Sequence, residues 1–274
     1  MMKLTTPVEI QTPHFTIPPC ENMLFVGSCF ADRIGKRFTD ENFRTTVNPY
    51  GVMYNPASIL HTVERWLDST TQAPKVAFIT LGTNHVYLLR ETGQIVDNCE
   101  KRPQRLFEER QLSVEECADY LLRVVDRLTE ACQEVRVVVT VSPIRYAKYG
   151  FHGSALSKAT LLLAAEKVCS ERGERVDYFP AYEIVNDELR DYRFYQPDMI
   201  HPSEQAVDYI WQRFAELYLS SEAKAFIREW KPVREALAHR PFHPDSEDYK
   251  AFMDKTRQRI EALRAKYPDM PFQG

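Results

Sequence analysis

The sequence has no apolar run near the roughly 18 residues that a membrane-spanning helix needs, so no contact with a bilayer core is expected. Its opening, Met-Met-Lys-Leu-Thr-Thr-Pro-Val-Glu-Ile, lacks the apolar core of a secretory signal, which makes the cytoplasm the expected compartment. Neither sign of charge is in excess: 35 Lys and Arg stand against 39 Asp and Glu, a formal net charge of −4. That balance offers no footprint for nucleic acid or for an anionic membrane surface. The six cysteines (Cys20, Cys29, Cys99, Cys117, Cys132, Cys169) include no C-x-x-C pair, which removes the zinc knuckle and the thioredoxin-type redox motif. No internal repeat or low-complexity segment is present. His239 and His243 have the spacing of a helical metal pair, but Pro241 between them breaks the helix that would align the rings, so no metal site is expected.

What is present is ordinary for a soluble globular chain: 44% hydrophobic and 27% charged residues over 274 positions. That length suits one large domain, or one domain with an added piece, and the charged helical character after residue 220 places such a boundary there. Residues 1–220 are expected to form the main domain and residues 221–274 a charged helical extension, docked through apolar positions such as Trp230 and Phe252.

The chain is organised around Phe25-Val26-Gly27-Ser28-Cys29-Phe30-Ala31. The run Met23 to Val26 reads as a buried strand that stops at Gly27, and the spacing Phe30, Ile34, Phe38 is helical. Ser28 and Cys29 therefore fall at a helix start, where unpaired N–H groups and the positive end of the macrodipole favour an anion. A thiol so placed is expected to have a lowered pKa and to be nucleophilic near neutral pH.

After a Pro- and Thr-rich lead-in over 1–22, further strands are expected at Phe43 to Val47, Lys75 to Leu81, Val135 to Val141 and Arg175 to Phe179. A small hairpin is expected near Val86 to Val96, and residues 97–111 read as an irregular surface excursion. Helices are expected from Pro56, from the capping box Ser113-x-x-Glu116, from about Ala155, over Ala181 to Leu189, and over Ser203 to Leu219. The aromatic and basic run Arg145 to His152 is a loop that either covers a substrate or packs over the sheet edge. Strands alternating with helices, several apolar throughout, predict an α/β fold whose parallel sheet is covered on both faces. Ligands of such sheets sit beyond the carboxyl ends of the strands, where Cys29, Asn84 and Ser142 all fall.

Three loops supply complementary chemistry. Cys29, or Ser28 beside it, offers a nucleophile. Asp198 and His201, followed by Pro202, place a carboxylate and an imidazole on one loop, so the carboxylate can fix the ring tautomer while the other ring nitrogen serves the nucleophile. The N–H groups of Gly51 and Cys29 and the side-chain amide of Asn84 are the expected oxyanion donors, each typically worth about 10²–10³ in rate.

Gly27-Ser28-Cys29-Phe30-Ala31, Gly51, Gly82-Thr83-Asn84 and Asp198-x-x-His201 together resemble the GSCFA family, which looks like a branch of the SGNH/GDSL hydrolases. The resemblance spans roughly residues 20–215. It implies a three-layer, SGNH-hydrolase or flavodoxin-like sandwich, no cofactor, and a small-molecule or carbohydrate acyl substrate. By that pattern Cys29 stands at the nucleophile, Asp198 and His201 complete a triad, and Gly51 and Asn84 hold the oxyanion. Two departures matter. A Cys replaces the expected Ser, so an acyl-thioester intermediate suits transfer as well as hydrolysis. His85 replaces the acid after Gly-x-Asn, and is expected either to line the pocket or to hold a structural hydrogen bond. Two other readings stay open: a binding module without turnover, and a serine esterase using Ser28.

Overall fold

The computed structural model describes residues 5–271, so the expectation for Met1 to Leu4 lies outside the described residues. The first half of the chain runs β1 (Asn22–Gly27), α1 (Cys29–Asp40), β2 (Arg44–Val47), α2 (Pro56–Ser69), β3 (Val76–Leu81), β4 (His85–Leu89), β5 (Ile95–Val96) and β6 (Phe107–Gln111). The second runs α3 (Val114–Ala131), β7 (Arg136–Val141), α4 (Gly150–Arg172), β8 (Val176–Tyr178), α5 (Ala181–Glu183), α6 (Glu204–Tyr218), α7 (Ser221–Ala238) and α8 (Glu247–Lys266).

The strands β2-β1-β3-β7-β8, in that order, form one five-stranded parallel sheet. Side chains alternate across a strand, and β1 shows how that divides the core. Met23 and Phe25 face a core with Phe30, Ile34 and Phe38 of α1, Ile210 and Phe214 of α6, and Phe226 of α7. Leu24 and Val26 face the other core, with Leu60 and Val63 of α2, Leu121 and Val125 of α3, and Leu161 and Ala165 of α4. The result is a three-layer α/β sandwich with helices on both faces, as the continuous apolar strands predict.

The added helices share the first of these cores: Trp230, Val233 and Leu263 are buried in it, as is Met270 beyond the end of α8. Trp230 Nε1 donates to the Asp40 carbonyl at the end of α1 (2.9 Å), and Arg234 pairs with Glu41. Among the described residues no helix is long and apolar enough to cross a membrane.

Three local expectations differ. Phe252, expected to dock the extension, is exposed and lies against His239 and Tyr249. Residues 107–111 are a strand rather than an irregular excursion: β6 pairs antiparallel with β4, from His85↔Gln111 to Leu89↔Phe107, in a small sheet β5-β4-β6. Helix α4 begins at Gly150, not near Ala155, so the aromatic loop is shorter than its composition suggests.

Candidate active site

The carboxyl ends of β1, β3 and β7 carry the candidate groups, and Gly27 makes the turn out of β1. Its φ is +137°, and a methyl group there would overlap the Thr80 carbonyl oxygen on β3, so only glycine fits. Ser28 follows as the N-cap of α1. Its Oγ accepts from Phe30 N–H (3.2 Å) and shares a hydrogen bond with Thr80 Oγ1 (3.0 Å), while its N–H donates to Thr80 O (3.1 Å). Ser28 is fully buried. Asn48 secures the same turn from the loop after β2: Oδ1 accepts from Gly27 N–H (2.9 Å) and Nδ2 donates to Asp32 Oδ1 (2.6 Å).

Cys29 is the first residue of α1 and is half-buried. The lowered thiol pKa expected of a helix start is not found. Burial, followed by the neighbouring Asp32 carboxylate, pushes the thiol up to about 11. Its own backbone N–H, Arg33 and Lys158 act in the opposite direction but do not outweigh the loss of water.

Asp198 and His201 meet as expected. His201 Nδ1 lies 2.6 Å from Asp198 Oδ2, and Asp198 Oδ1 accepts from the N–H groups of Ile200 (2.9 Å) and His201 (3.0 Å). Those bonds, the His201 N–H foremost, hold the Asp198 carboxyl down at about 2. The loop is closed upon itself, with Gln196 N–H donating to His201 O and Ser203 N–H to Phe194 O (both 2.7 Å). Arg33, one helical turn beyond Cys29, clamps this loop to α1: its guanidinium donates to the Pro202 carbonyl and pairs with Glu204. From the other side Arg145 Nη1 donates to Met199 O (2.9 Å), and Arg145 N–H to Ile200 O (3.1 Å). A cavity of about 280 Å³ adjoins the loop, lined by Arg145, Asn186, Arg190, Tyr192 and Tyr195 among others.

The two remaining oxyanion candidates are turned to other work. Gly51 is exposed with φ +91°, and its N–H donates to Asn48 O (2.9 Å) inside its own tight turn. Asn84 is buried, and its Nδ2 donates to Leu112 O (2.7 Å), fastening the start of β4 to the end of β6. Neither donor faces Cys29 through a hydrogen bond of its own. His85 opens β4, where its Nδ1 meets Glu109 Oε1 (3.1 Å) and its ring stacks on Tyr149 at 3.6 Å. Burial pushes its pKa below the ordinary imidazole value, and its buried Nε2 has no hydrogen-bond partner among the described residues.

Three residues near the strand ends escape a reading by motif. Lys158 of α4 is buried and donates to the Gly82 carbonyl (2.7 Å) and the Ser142 carbonyl (2.8 Å). Tyr146 places its ring under that amine (5.3 Å) and its buried hydroxyl, which has no hydrogen-bond partner among the described residues, beside Gly82. Tyr54, edge-on to Tyr146 at 5.9 Å, completes a row of rings running from His85 through Tyr149 towards Cys29.

A family model described as "GSCFA family" matches residues 22–77 and 66–214, well over half of the chain. The chain belongs to the GSCFA family. A second model, "GSCFA domain protein, C-terminal domain", matches residues 230–274, the part of this GSCFA chain that holds the second half of α7 and all of α8. No curated protein matches it. Solved structures similar to this GSCFA chain include a member of the lipolytic G-D-S-L family from Veillonella parvula, with 11% identity and a TM-score of 0.49 over 72% of this chain and 97% of that one. An acetyl-xylooligosaccharide esterase from Geobacillus, a mutant form, shares 14% identity with a TM-score of 0.47 over 76% of this chain and 100% of its own. A carbohydrate esterase of family 3 from Talaromyces cellulolyticus shares 10% with a TM-score of 0.45, over 76% and 99%. With scores below 0.5, these likenesses bear on neither the chemistry nor the residues of the site.

Proposed function

We propose that this GSCFA protein cleaves or transfers an acyl group through a covalent intermediate on Cys29, with His201 as general base and then acid and Asp198 as its orienting carboxylate. The observation that carries the reading is the Arg33 clamp. It binds the ready-made Asp198–His201 pair to the helix whose first residue is Cys29.

In the first step the Cys29 proton passes to His201 Nε2 as sulfur attacks the acyl carbonyl carbon. The tetrahedral intermediate collapses, the C–O bond of the ester breaks, and the leaving alcohol takes the proton back from His201. Water or an acceptor alcohol then gives its proton to His201 and attacks the thioester, and the sulfur leaves with that proton. Cys29 is the first residue of α1, where a helix leaves its N–H groups without intrahelical acceptors, and this supports a role for its N–H in holding the oxyanion. The tyrosines and arginines of the adjoining cavity suit a small polar acyl carrier or acceptor, a carbohydrate among them.

Ser28 is a poor second nucleophile, because its hydroxyl is sealed off and already bonded to Thr80 and the Phe30 N–H. A binding module without turnover is favoured by one observation, the thiol held up at about 11 in the protein without substrate.

The test is trapping. Incubation with an activated acyl ester such as p-nitrophenyl acetate, followed by peptide mass spectrometry, should place the acyl group on the Cys29 peptide. The adduct should form at least about 100-fold more slowly in His201→Ala. An adduct elsewhere, or one equally fast without His201, overturns the reading.

A further inference from the structure

Lys158 has no part in the acyl chemistry above, yet it occupies an expensive position. Burying an ammonium away from water is strongly unfavourable unless something compensates. Two of its three donors go to backbone carbonyls, Gly82 O at the end of β3 and Ser142 O at the end of β7. Tyr146 packs its ring face against the same nitrogen. Helix α4 is fixed over these strand ends by Ser157, whose Oγ accepts from Asn84 N–H (3.0 Å) and shares a hydrogen bond with Thr83 Oγ1 (3.1 Å). Among the described residues no carboxylate is bonded to the amine. The β3 end is next to that of β1, from which Cys29 emerges, and the β7 end lies one strand further along the sheet.

We propose that Lys158 is a positioning residue for Cys29: an amine pinned beneath the strand ends, supplying the buried positive charge against which the thiolate forms. The charged and titratable groups within electrostatic reach of Cys29 are Asp32 and Arg33 on its own helix, Lys158 from α4, and the hydroxyls of Tyr54 and Tyr146. Asp32 opposes the thiolate and is occupied by Asn48, while Arg33 is committed to Pro202 and Glu204. Lys158 alone among these groups is a cation with no acidic partner. Burial lowers its own pKa to about 7, and the Cys29 charge works to raise it, so each of the two charges favours the other. The inference concerns the sulfur used in the acyl-transfer reading and rests on that reading only for its catalytic consequence.

The experiment is the rate of Cys29 alkylation by iodoacetamide against pH, followed on the Cys29 peptide by mass spectrometry. At low pH the rate should climb about tenfold per pH unit as thiolate accumulates. Near pH 7, where Lys158 loses its proton, the thiolate loses its counter-charge and the climb should flatten. His201→Ala should keep that break. Lys158→Met should remove it and slow alkylation at pH 6 about tenfold. A wild-type profile without a break overturns the proposal, as does a break that survives in Lys158→Met or vanishes in His201→Ala. Should Lys158→Met not fold, the Lys158 signal of ε-¹³C-lysine-labelled wild type must titrate at the pH of the break, and a mismatch sinks the proposal. Because alkylation needs no acyl chemistry, an intact break with no acyl adduct would defeat the functional reading and leave this one standing.

Discussion

Gly27 and Ser28 show how narrowly the turn before the helix is specified. Gly27→Ala brings a methyl group against the Thr80 carbonyl at a φ that L-residues rarely adopt. Strain and backbone overlap together should cost about 3 kcal/mol or more, measured by urea unfolding. Ser28→Ala removes only the helix cap and the Thr80 hydrogen bond, an expected loss of about 1–2 kcal/mol in the same assay. The Cys29 acyl adduct should persist in Ser28→Ala, whereas a serine nucleophile would lose it. The same scale shows what the sequence could not disclose. Asp198 and His201 were legible because both partners lie on one short loop. Gly51 and Asn84 were legible as residues but not as donors, since what they bond to, Asn48 and Leu112, depends on the folded path. Lys158 belongs to no motif, and only the fold places it among Ser154, Ser157, Leu161, Ala165 and Val168, the buried face of α4.

At the scale of elements, legibility follows the strength of the apolar signal. β1, β3 and β7 are buried almost throughout, and α3 carries its capping box as Ser113 and Glu116 require. β6 escapes because four of its five residues, Glu108 to Gln111, are exposed, and only its pairing with β4 makes it a strand. The C-terminal helices do more than decorate the surface. Phe226 meets Phe43 edge-on at 6.2 Å and Tyr267 at 4.9 Å, and Trp230 bonds to the end of α1. A chain ending at residue 220 would expose Phe43 and the end of α1, an apolar surface of the kind that self-associates. It should elute from size exclusion as aggregate, or melt at least about 10 °C lower, and a monomer of unchanged Tm would contradict this packing. Trp230→Ala should cost about 3–4 kcal/mol in the full-length protein by urea unfolding.

At the scale of the whole molecule, Lys158 couples stability to pH. Its folded pKa is depressed to about 7 from an ordinary 10.5, so between these values the unfolded chain binds more protons than the folded one. Stability should therefore rise with pH across that window, by at most about 1.4 kcal/mol per pH unit, and the gain should be largely absent below pH 7. Urea unfolding of wild type and Lys158→Met at pH 6, 7, 8 and 9 isolates the effect. The difference between the two proteins should shift in favour of wild type as pH rises, and a constant difference would contradict it.

Arg33 and Pro202 are 169 residues apart in sequence, and their contact has a consequence in time as well as in space. During synthesis the thiol-bearing segment leaves the ribosome long before the imidazole exists, so the bare sulfur must wait for a distant, late-arriving partner. Competence of the kind proposed would then be the last property a nascent chain acquires. It would also be the first forfeited when the later half of the fold loosens, well before the sheet itself gives way.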